Sequence, residues 1–216
     1  MPGTIMHLTV AQMVYEGIKD LELDKMKFLM GNILPDEAAD KERSHFRVRS
    51  SVERYMLPHM GKVKEELFRL NDPYRLGAYC HLYFDYHFFE DYLFKMFIWD
   101  SENDLVISKQ NGISWQTDKF WSRSVFYSAY GAINHPIIDM GLINMEDVGN
   151  MAEPIPHIGN ERFDARREKT WKTELYEFLE SKPQYTGEII ELDPTVEFMR
   201  KIANDLIEEI KMANNA

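Results

Sequence analysis

The sequence predicts an all-helical fold, and three observations support this prediction. Apolar residues recur at steps of three and four along much of the 216-residue chain. Helix-start signals precede two of the longest such stretches, at Asp72-Pro73 and Asp193-Pro194. Residues 186–192 alone have a β-like composition, and one short strand cannot form a sheet. We therefore expect a single all-α domain over residues 1–216.

The first half of the chain predicts helices that alternate with short loops. Apolar spacing favours helices at 7–21 and 24–30, whereas Gly31, Asn32 and Pro35 indicate a loop at 31–36. Residues 50–70 favour a helix that Pro58 either splits or begins. A long helix is predicted at 73–99, and we expect it to form the centre of the molecule.

The second half predicts further helices around one irregular segment. Residues 100–112 indicate a loop, and helices are expected at 117–132 and 136–140. Residues 145–160 hold two prolines and two glycines and predict irregular structure. The last two predicted helices cover 161–179 and 194–213, the latter with Asp193 as its N-cap and Pro194 as its first residue.

Charge and cysteine content exclude several kinds of partner and site. The chain has 25 basic and 36 acidic residues, a net charge of −11, which disfavours duplex nucleic acid and anionic membranes as main partners. Cys80 has no second cysteine to pair with, and residues 1–12 lack the features of a signal peptide. No stretch is apolar enough to span a membrane. We expect a cytoplasmic location.

The clearest chemical signal lies in the long predicted helix, where His81 and Asp85 are four residues apart. Side chains at this spacing share one helix face, and both types ligate zinc or iron. A hydrogen bond between them on the helix surface is the alternative. The surrounding residues are so aromatic that most of this helix is expected to be buried, where unpaired polar groups are costly. These aromatic residues are Tyr79, Tyr83, Phe84, Tyr86, Phe88, Phe89, Tyr92, Phe94, Phe97 and Trp99.

Two weaker signals precede that helix. Asp36 follows the Gly/Pro segment and is itself followed nine residues later by His45. The charged residues between them are also typical of a solvated surface. His7 lies in the first turn of the first predicted helix, where a histidine can be purely structural.

Three segments within about the first 100 residues carry short motifs whose order and spacing we compare as a set. The first is the opening, MPGTIMH, which ends at His7. The second is FLMGNILPD at 28–36, followed by Lys41 and by SHF at 44–46. The third is GAYCHLYFD at 77–85. Together they resemble the zinc-dependent phospholipase C family, a group of all-helical metallohydrolases related to the single-strand-specific zinc nucleases.

This resemblance implies a set of metal ligands. One zinc ion would be held by Asp36, His45, His81 and Asp85, with Asp85 bridging to a second ion held also by His7. Manganese or iron would suit the same ligand types. The family also has a third metal ion. The residues that could hold it in this chain are His135 and Asp139, with either His87 or Asp91 as the remaining ligand.

A pair of such sites favours phosphate chemistry. Two divalent cations against two carboxylates and three neutral imidazoles leave a local charge of about +2, which attracts a phosphate ester. Water at such ions has its pKa lowered towards about 7. We therefore expect a metal-dependent phosphoesterase in which Asp36, as the catalytic residue, or Glu37 orients the water. The substrate would be a small phosphorylated molecule or a phospholipid headgroup.

Two other functions compete with this one. The first is a non-catalytic helical binding or scaffold protein that holds a structural metal or none, in a site with no open coordination position. The second is an HD-type metal phosphohydrolase, also all-helical, although its adjacent His-Asp dipeptide does not occur in this chain.

Overall fold

The structure, a computed structural model, shows a mainly helical protein with two small antiparallel sheets. It describes residues 3–49, 56–100, 102–103, 105–116, 129, 131–164, 169–181, 184–187 and 189–216. The mainly helical class is confirmed. The expectation that no sheet forms is wrong. Residues 186–192, whose composition alone is β-like, form no strand in their described part, and a helix begins at Leu192.

Six helices occupy the first half of the chain, together with two short segments of other helical type. The helices are α1 (Thr4–Gly17), α2 (Lys25–Glu37), α3 (Lys41–Ser44), α4 (Met60–Leu67), α5 (Pro73–His87) and α6 (Phe94–Met96). A 3₁₀ turn at Lys19–Leu21 follows α1, and a π-helical segment at Phe88–Leu93 joins α5 to α6. His59 caps α4 through its ring, so Pro58 precedes the start of that helix.

Five further helices are described in the second half. These are α7 (Asn134–Asp139), α8 (Met145–Asn150), α9 (Glu161–Asp164), α10 (Trp171–Ser181) and α11 (Leu192–Asn214). The helix predicted at 117–132 lies almost entirely outside the described residues. Helix α11 begins two residues earlier than predicted, with Glu191 rather than Asp193 at the N-cap position. Among the described residues, no helix is both long and apolar enough to cross a membrane.

The two sheets are built from strands of three or four residues. β1 (Arg47–Arg49) pairs with β2 (Met56–Pro58) in an antiparallel register that sets Val48 opposite Leu57. β3 (Phe97–Asp100), β4 (Leu105–Ser108) and β5 (Ser114–Gln116) form the second sheet in that order. Such short strands show too few alternations to be recognised by period, which is why the sequence predicts a loop at 100–112.

Helices α2 and α5 cross so closely that their backbones touch. A Cβ on Gly31 would lie 2.2 Å from the carbonyl oxygen of Tyr74, and one on Gly77 would lie 2.1 Å from that of Phe28. This packing keeps residues 31–36 helical, so the loop predicted there is wrong. Pro35 removes one helical N–H donor, but the tertiary contact outweighs that loss. Asp36 consequently lies in the last turn of a helix.

Helix α5 is the centre of the described structure, since it packs against α1, α2, α4 and α11. Asp72 caps its start by accepting the N–H of Arg75 at 3.1 Å. The predicted helix at 73–99 is interrupted by the π-helical segment and ends at Met96, after which the chain enters β3. Beyond α5, the ring of Tyr92 stacks on Phe198 of α11, with centroids 4.9 Å apart.

Candidate metal centre

Four parts of the fold bring the five predicted ligands into one cluster. His7 projects from α1, Asp36 from the end of α2, and His45 from the residue after α3, while His81 and Asp85 lie one turn apart on α5. Four of these side chains are at most 2% exposed, and Asp36 is the exception at 16%. The cluster therefore meets solvent on the side of Asp36.

Four of the side chains have the spacing of ligands to one ion. Asp85 Oδ2 lies 3.6 Å from both His45 Nε2 and His81 Nε2. The carboxylate oxygens of Asp36 lie 3.6 Å from His45 Nε2 and 3.9 Å from His81 Nε2. In a tetrahedral zinc site with bonds of about 2.0–2.2 Å, ligand atoms are about 3.3–3.6 Å apart. These distances are close to that requirement.

His7 contacts the other oxygen of the Asp85 carboxylate. Its Nε2 lies 3.3 Å from Asp85 Oδ1, and its ring stacks on His81 with centroids 3.7 Å apart. Ligand atoms of His7, Asp36 and His81 also lie within 4.8 Å of one another. Asp85 thus presents one oxygen to His7 and the other to His45 and His81, as a carboxylate that bridges two ions does.

The cluster contains buried polar atoms that need a partner. Within the described residues, the Nε2 atoms of His7, His45 and His81 and the Oδ1 atom of Asp85 make no hydrogen bond. Leaving such a group unsatisfied costs about 1–3 kcal/mol. Cations bound in the cluster would accept the lone pairs of these atoms, and three imidazoles with two carboxylates are a donor set that zinc takes. The residues present therefore fit a metal.

Ser44 fixes the tautomer of His45. The Ser44 hydroxyl donates to the carbonyl oxygen of Pro35 at 2.9 Å, so its oxygen can only accept from His45 Nδ1, also at 2.9 Å. The proton of His45 consequently lies on Nδ1, which leaves the Nε2 lone pair directed into the cluster. Partners of this kind orient ligand histidines in metal sites.

The buried groups have the charge states that metal ligands require. Burial lowers the pKa of His45 to about 4 and that of His81 to about 3, so both rings are neutral at pH 7. Burial alone would raise the pKa of Asp85, but His7 and His81 lower it overall. Neutral imidazoles and an ionised carboxylate can bind a cation without first losing protons.

Lys41 sits beside Asp36 at the solvent side of the cluster. Its Nζ donates to the carbonyl oxygen of Asp36 at 2.5 Å and to Oδ1 at 2.6 Å. Burial opposes ionisation of Asp36, yet the positive charge of Lys41 and the nearby histidine rings hold its pKa well below the usual range. Asp36 is therefore a carboxylate held in one orientation.

Glu37, the alternative acid predicted to orient water, has a different place. It is 2% exposed, and its Oε1 accepts the backbone N–H of Trp171 at the start of α10. A carboxylate at that position satisfies a helix N-terminus. The structure thus places Glu37 in the packing between α2 and α10.

The additional candidates for a third ion make other contacts. His87 Nδ1 lies 2.5 Å from Asp91, whose second oxygen accepts from Lys95 at 2.8 Å. His135 Nε2 lies 3.0 Å from the carbonyl oxygen of Leu179, and Asp139 is exposed at the end of α7. In the described part of the chain, none of these four candidates belongs to a cluster of three or more ligand residues. The third ion stays a prediction.

Fold and site together define a mainly helical protein with a buried cluster of three histidines and two aspartates. Comparison of the chain with protein-family models, with curated proteins and with solved structures gives no match. The function is therefore inferred from the five side chains and their surroundings.

Proposed function

We propose that this protein is a metal-dependent phosphoesterase that cleaves a phosphate ester with water. The observation that carries the proposal is the convergence of His7, Asp36, His45, His81 and Asp85 on one buried cluster. Two aspartates and three histidines at ligand spacing are the residue types of hydrolytic zinc centres.

Two ions can share this set of ligands. Asp36, His45, His81 and Asp85 would hold the first, while His7 and the second oxygen of Asp85 would contribute to the other. Zinc suits this mixture of nitrogen and oxygen ligands best, and manganese or iron would also fit it. We also propose that the protein acts in the cytoplasm, a reducing compartment in which the free thiol of Cys80 would stay reduced.

The chemistry follows from the cluster and its solvent side. When bound, divalent cations supply positive charge for a phosphate ester and lower the pKa of water. Asp36 is ionised and partly exposed, so its carboxylate can orient the attacking water by accepting a hydrogen bond from it. Lys41 fixes the orientation of that carboxylate, and Ser44 fixes the ring of His45. The buried side of the cluster excludes water.

The substrate class is a small phosphorylated molecule or a phospholipid headgroup. A structural metal site in a non-catalytic scaffold is the second candidate, because four of the five ligands are almost fully buried. The exposure of Asp36 favours the enzyme, since a catalytic metal site keeps an open position.

A hydrolysis assay with a competition arm tests the proposal. Zinc-loaded protein is given chromogenic phosphomonoesters, phosphodiesters and a short-chain phospholipid, and release of the chromophore or headgroup is measured against pH. We expect hydrolysis with a rate that rises through a pKa near neutrality, and competition by inorganic phosphate or vanadate. Fully loaded protein that neither hydrolyses these esters nor binds phosphate would establish the scaffold instead.

A further inference from the structure

A lysine lies beside the candidate metal centre on its solvent side. Lys41 Nζ donates to the carbonyl oxygen of Asp36 at 2.5 Å and to its Oδ1 at 2.6 Å. The side chains of Lys41 and Asp36 are 28% and 16% exposed, whereas the other four members of the cluster are at most 2% exposed. A ligand that reaches the cluster from the side of Asp36 therefore passes the ammonium group of Lys41.

The short helix α3 holds this lysine in place. Lys41 is its first residue and follows the N-cap Asp40, whose carboxylate accepts the backbone N–H of Arg43. Ser44, the last residue of α3, donates its hydroxyl to the carbonyl oxygen of Pro35. Both ends of α3 are thus joined to the last turn of α2, so Lys41 is positioned before any ligand binds.

The ammonium group of Lys41 can bind a ligand while it keeps its contact with Asp36. An ammonium group has three N–H donors, and the oxygens of Asp36 accept two of them. In the described part of the structure, the third donor has no acceptor. An oxygen of a phosphate at the metal centre would accept it in a charge-assisted hydrogen bond.

The charge of Lys41 acts on the residues of the cluster. Burial opposes ionisation of Asp36, and the positive charge of Lys41 is the main influence that holds its pKa well below the usual range. At His45, burial is the main cause of the lowered pKa, and the charge of Lys41 adds to it. A phosphate bound at these residues would therefore lie close to the positive charge of the lysine.

Lys41 also changes the charge that a substrate meets. Two divalent cations with Asp36 and Asp85 leave about +2 at the centre, and the lysine raises this to about +3. A phosphomonoester is largely a dianion at neutral pH, since its second pKa is about 6, whereas a phosphodiester is a monoanion. Coulomb energy is proportional to the charge of the ligand, so each positive charge at the centre favours the dianion.

We propose that Lys41 binds the phosphate group of the substrate and makes this enzyme prefer phosphomonoesters to phosphodiesters. The inference rests on the proposed phosphoesterase function and narrows its substrate class. A phospholipid headgroup is attached through a phosphodiester, so the preference favours a small molecule with a terminal phosphate. Lys41 acts here by direct contact with the substrate, in addition to its contact with Asp36.

Binding measurements on the zinc-loaded full chain test this preference without reference to turnover. Isothermal titration calorimetry compares methylphosphonate, a dianion under mildly alkaline conditions, with dimethylphosphinate, a monoanion of similar size. Neither probe contains an ester bond, so neither can be hydrolysed as a substrate. Methylphosphonate should bind at least about tenfold more tightly. Equal affinities for the two probes would overturn the inference.

A variant of the lysine tests whether the preference depends on its charge. Lys41→Gln removes the charge but keeps an N–H donor for Asp36. Because the Coulomb energy doubles with the charge of the ligand, we expect the affinity for methylphosphonate to fall by about tenfold and that for dimethylphosphinate by about threefold. The control Lys27→Gln removes an exposed cation that pairs with Asp24, and it should keep both affinities.

A lysine that only orients Asp36 would give a different result. The affinities of Lys41→Gln for the two probes would then fall by the same factor, or neither would fall. Either outcome would overturn the inference. The zinc content and the thermal unfolding temperature of each variant are measured alongside, and both should match those of the unaltered protein.

A second measurement uses the unaltered chain, so it remains decisive even if Lys41→Gln loses zinc. The zinc-loaded protein is acetylated briefly with and without methylphosphonate, and peptide mass spectrometry measures the modification of each lysine. Methylphosphonate should suppress acetylation of Lys41 and leave that of Lys27 unchanged. Acetylation of Lys41 at the same rate in both samples would overturn the inference.

Failure of this inference is distinguishable from failure of the proposed function. If neither probe nor inorganic phosphate binds to the zinc-loaded protein, the phosphoesterase function itself fails. If the probes bind but Lys41 neither sets the preference nor is protected, the lysine only orients Asp36, while the proposed function stands.

Discussion

His81 and Asp85 are the residues on which metal binding should depend most. We expect His81→Ala and Asp85→Ala to lose bound zinc, with Asp85→Ala the more severe because its two oxygens face different histidines. His59→Ala and His157→Ala should keep it, since both rings are exposed and lie outside the cluster. Elemental analysis of each reconstituted variant gives the zinc content, and circular dichroism checks its helicity. Equal zinc in all four would refute the assignment.

The hydrogen bond from His45 to Ser44 should raise metal affinity. Ser44→Ala removes the acceptor that holds the ring and fixes its tautomer. We expect zinc affinity to fall by about 10- to 100-fold, the usual effect of losing such a partner. Competition with a chelator measures the change. Ser181→Ala, which removes an exposed hydroxyl bonded to Phe178, is the control and should leave the affinity unchanged. An unaltered affinity in Ser44→Ala would contradict the proposed orienting role.

Asp36 should matter more for turnover than for the fold. Asp36→Asn keeps the size of the side chain but removes the negative charge that orients the attacking water and balances the cations, so we expect hydrolysis to fall by about 100-fold or more in protein that still contains metal. Turnover is normalised to the zinc content of each sample. Activity that falls only in proportion to lost zinc would make Asp36 a ligand with no part in orienting the water.

At the scale of elements, the contact between α2 and α5 positions three of the five ligands. Gly31→Ala or Gly77→Ala would push a Cβ into the backbone of the opposite helix, and we expect a loss of about 2–3 kcal/mol in the free energy of unfolding. Gly149→Ala in α8 is the control, because its Cβ meets no atom within 4 Å. It should be neutral or slightly stabilising. Urea unfolding of the metal-free variants measures these differences, and equal stabilities would contradict the close crossing.

The sequence predicts the elements best where local signals dominate. Asp72 and Pro73 predict the start of α5 correctly, and Pro58 marks the approach to α4. Pro35 wrongly indicates a loop, because the backbone contact of Gly31 with α5 keeps α2 helical through the proline. The short strands β1 to β5 are missed because pairing between segments, and not local composition, defines them.

The same distinction applies to the candidate site. The spacing of His81 and Asp85 within one helix predicts that they lie together. Spacing alone does not bring His7, Asp36 and His45 to that pair, because tertiary packing decides it; only the family resemblance implies the grouping. The serine directly before the histidine is a weak sequence signal for the hydrogen bond from His45 to Ser44. The hydrogen bond between Glu37 and Trp171 joins residues 134 positions apart, and no local sequence signal indicates it.

At the scale of the whole molecule, the buried histidines should make stability depend on pH. Folding lowers the pKa of His45 to about 4 and of His81 to about 3, below the usual value of 6.5. Between pH 6.5 and about 4 the unfolded chain therefore binds protons that the folded chain does not, so stability falls as the pH is lowered. Urea unfolding of metal-free protein across this range measures the effect. A His45→Gln/His81→Gln variant should show a weaker dependence, and an unchanged dependence would rule out these two histidines as its origin.

Metal content is the most direct test of the central claim that these five side chains form a metal centre. The purified protein, reconstituted with zinc, manganese or iron and freed of excess ion, is analysed for metal per chain. We predict between one and two equivalents, since four ligands suit the first ion and His7 with the second oxygen of Asp85 suits another. Protein that retains none of the three metals would contradict it.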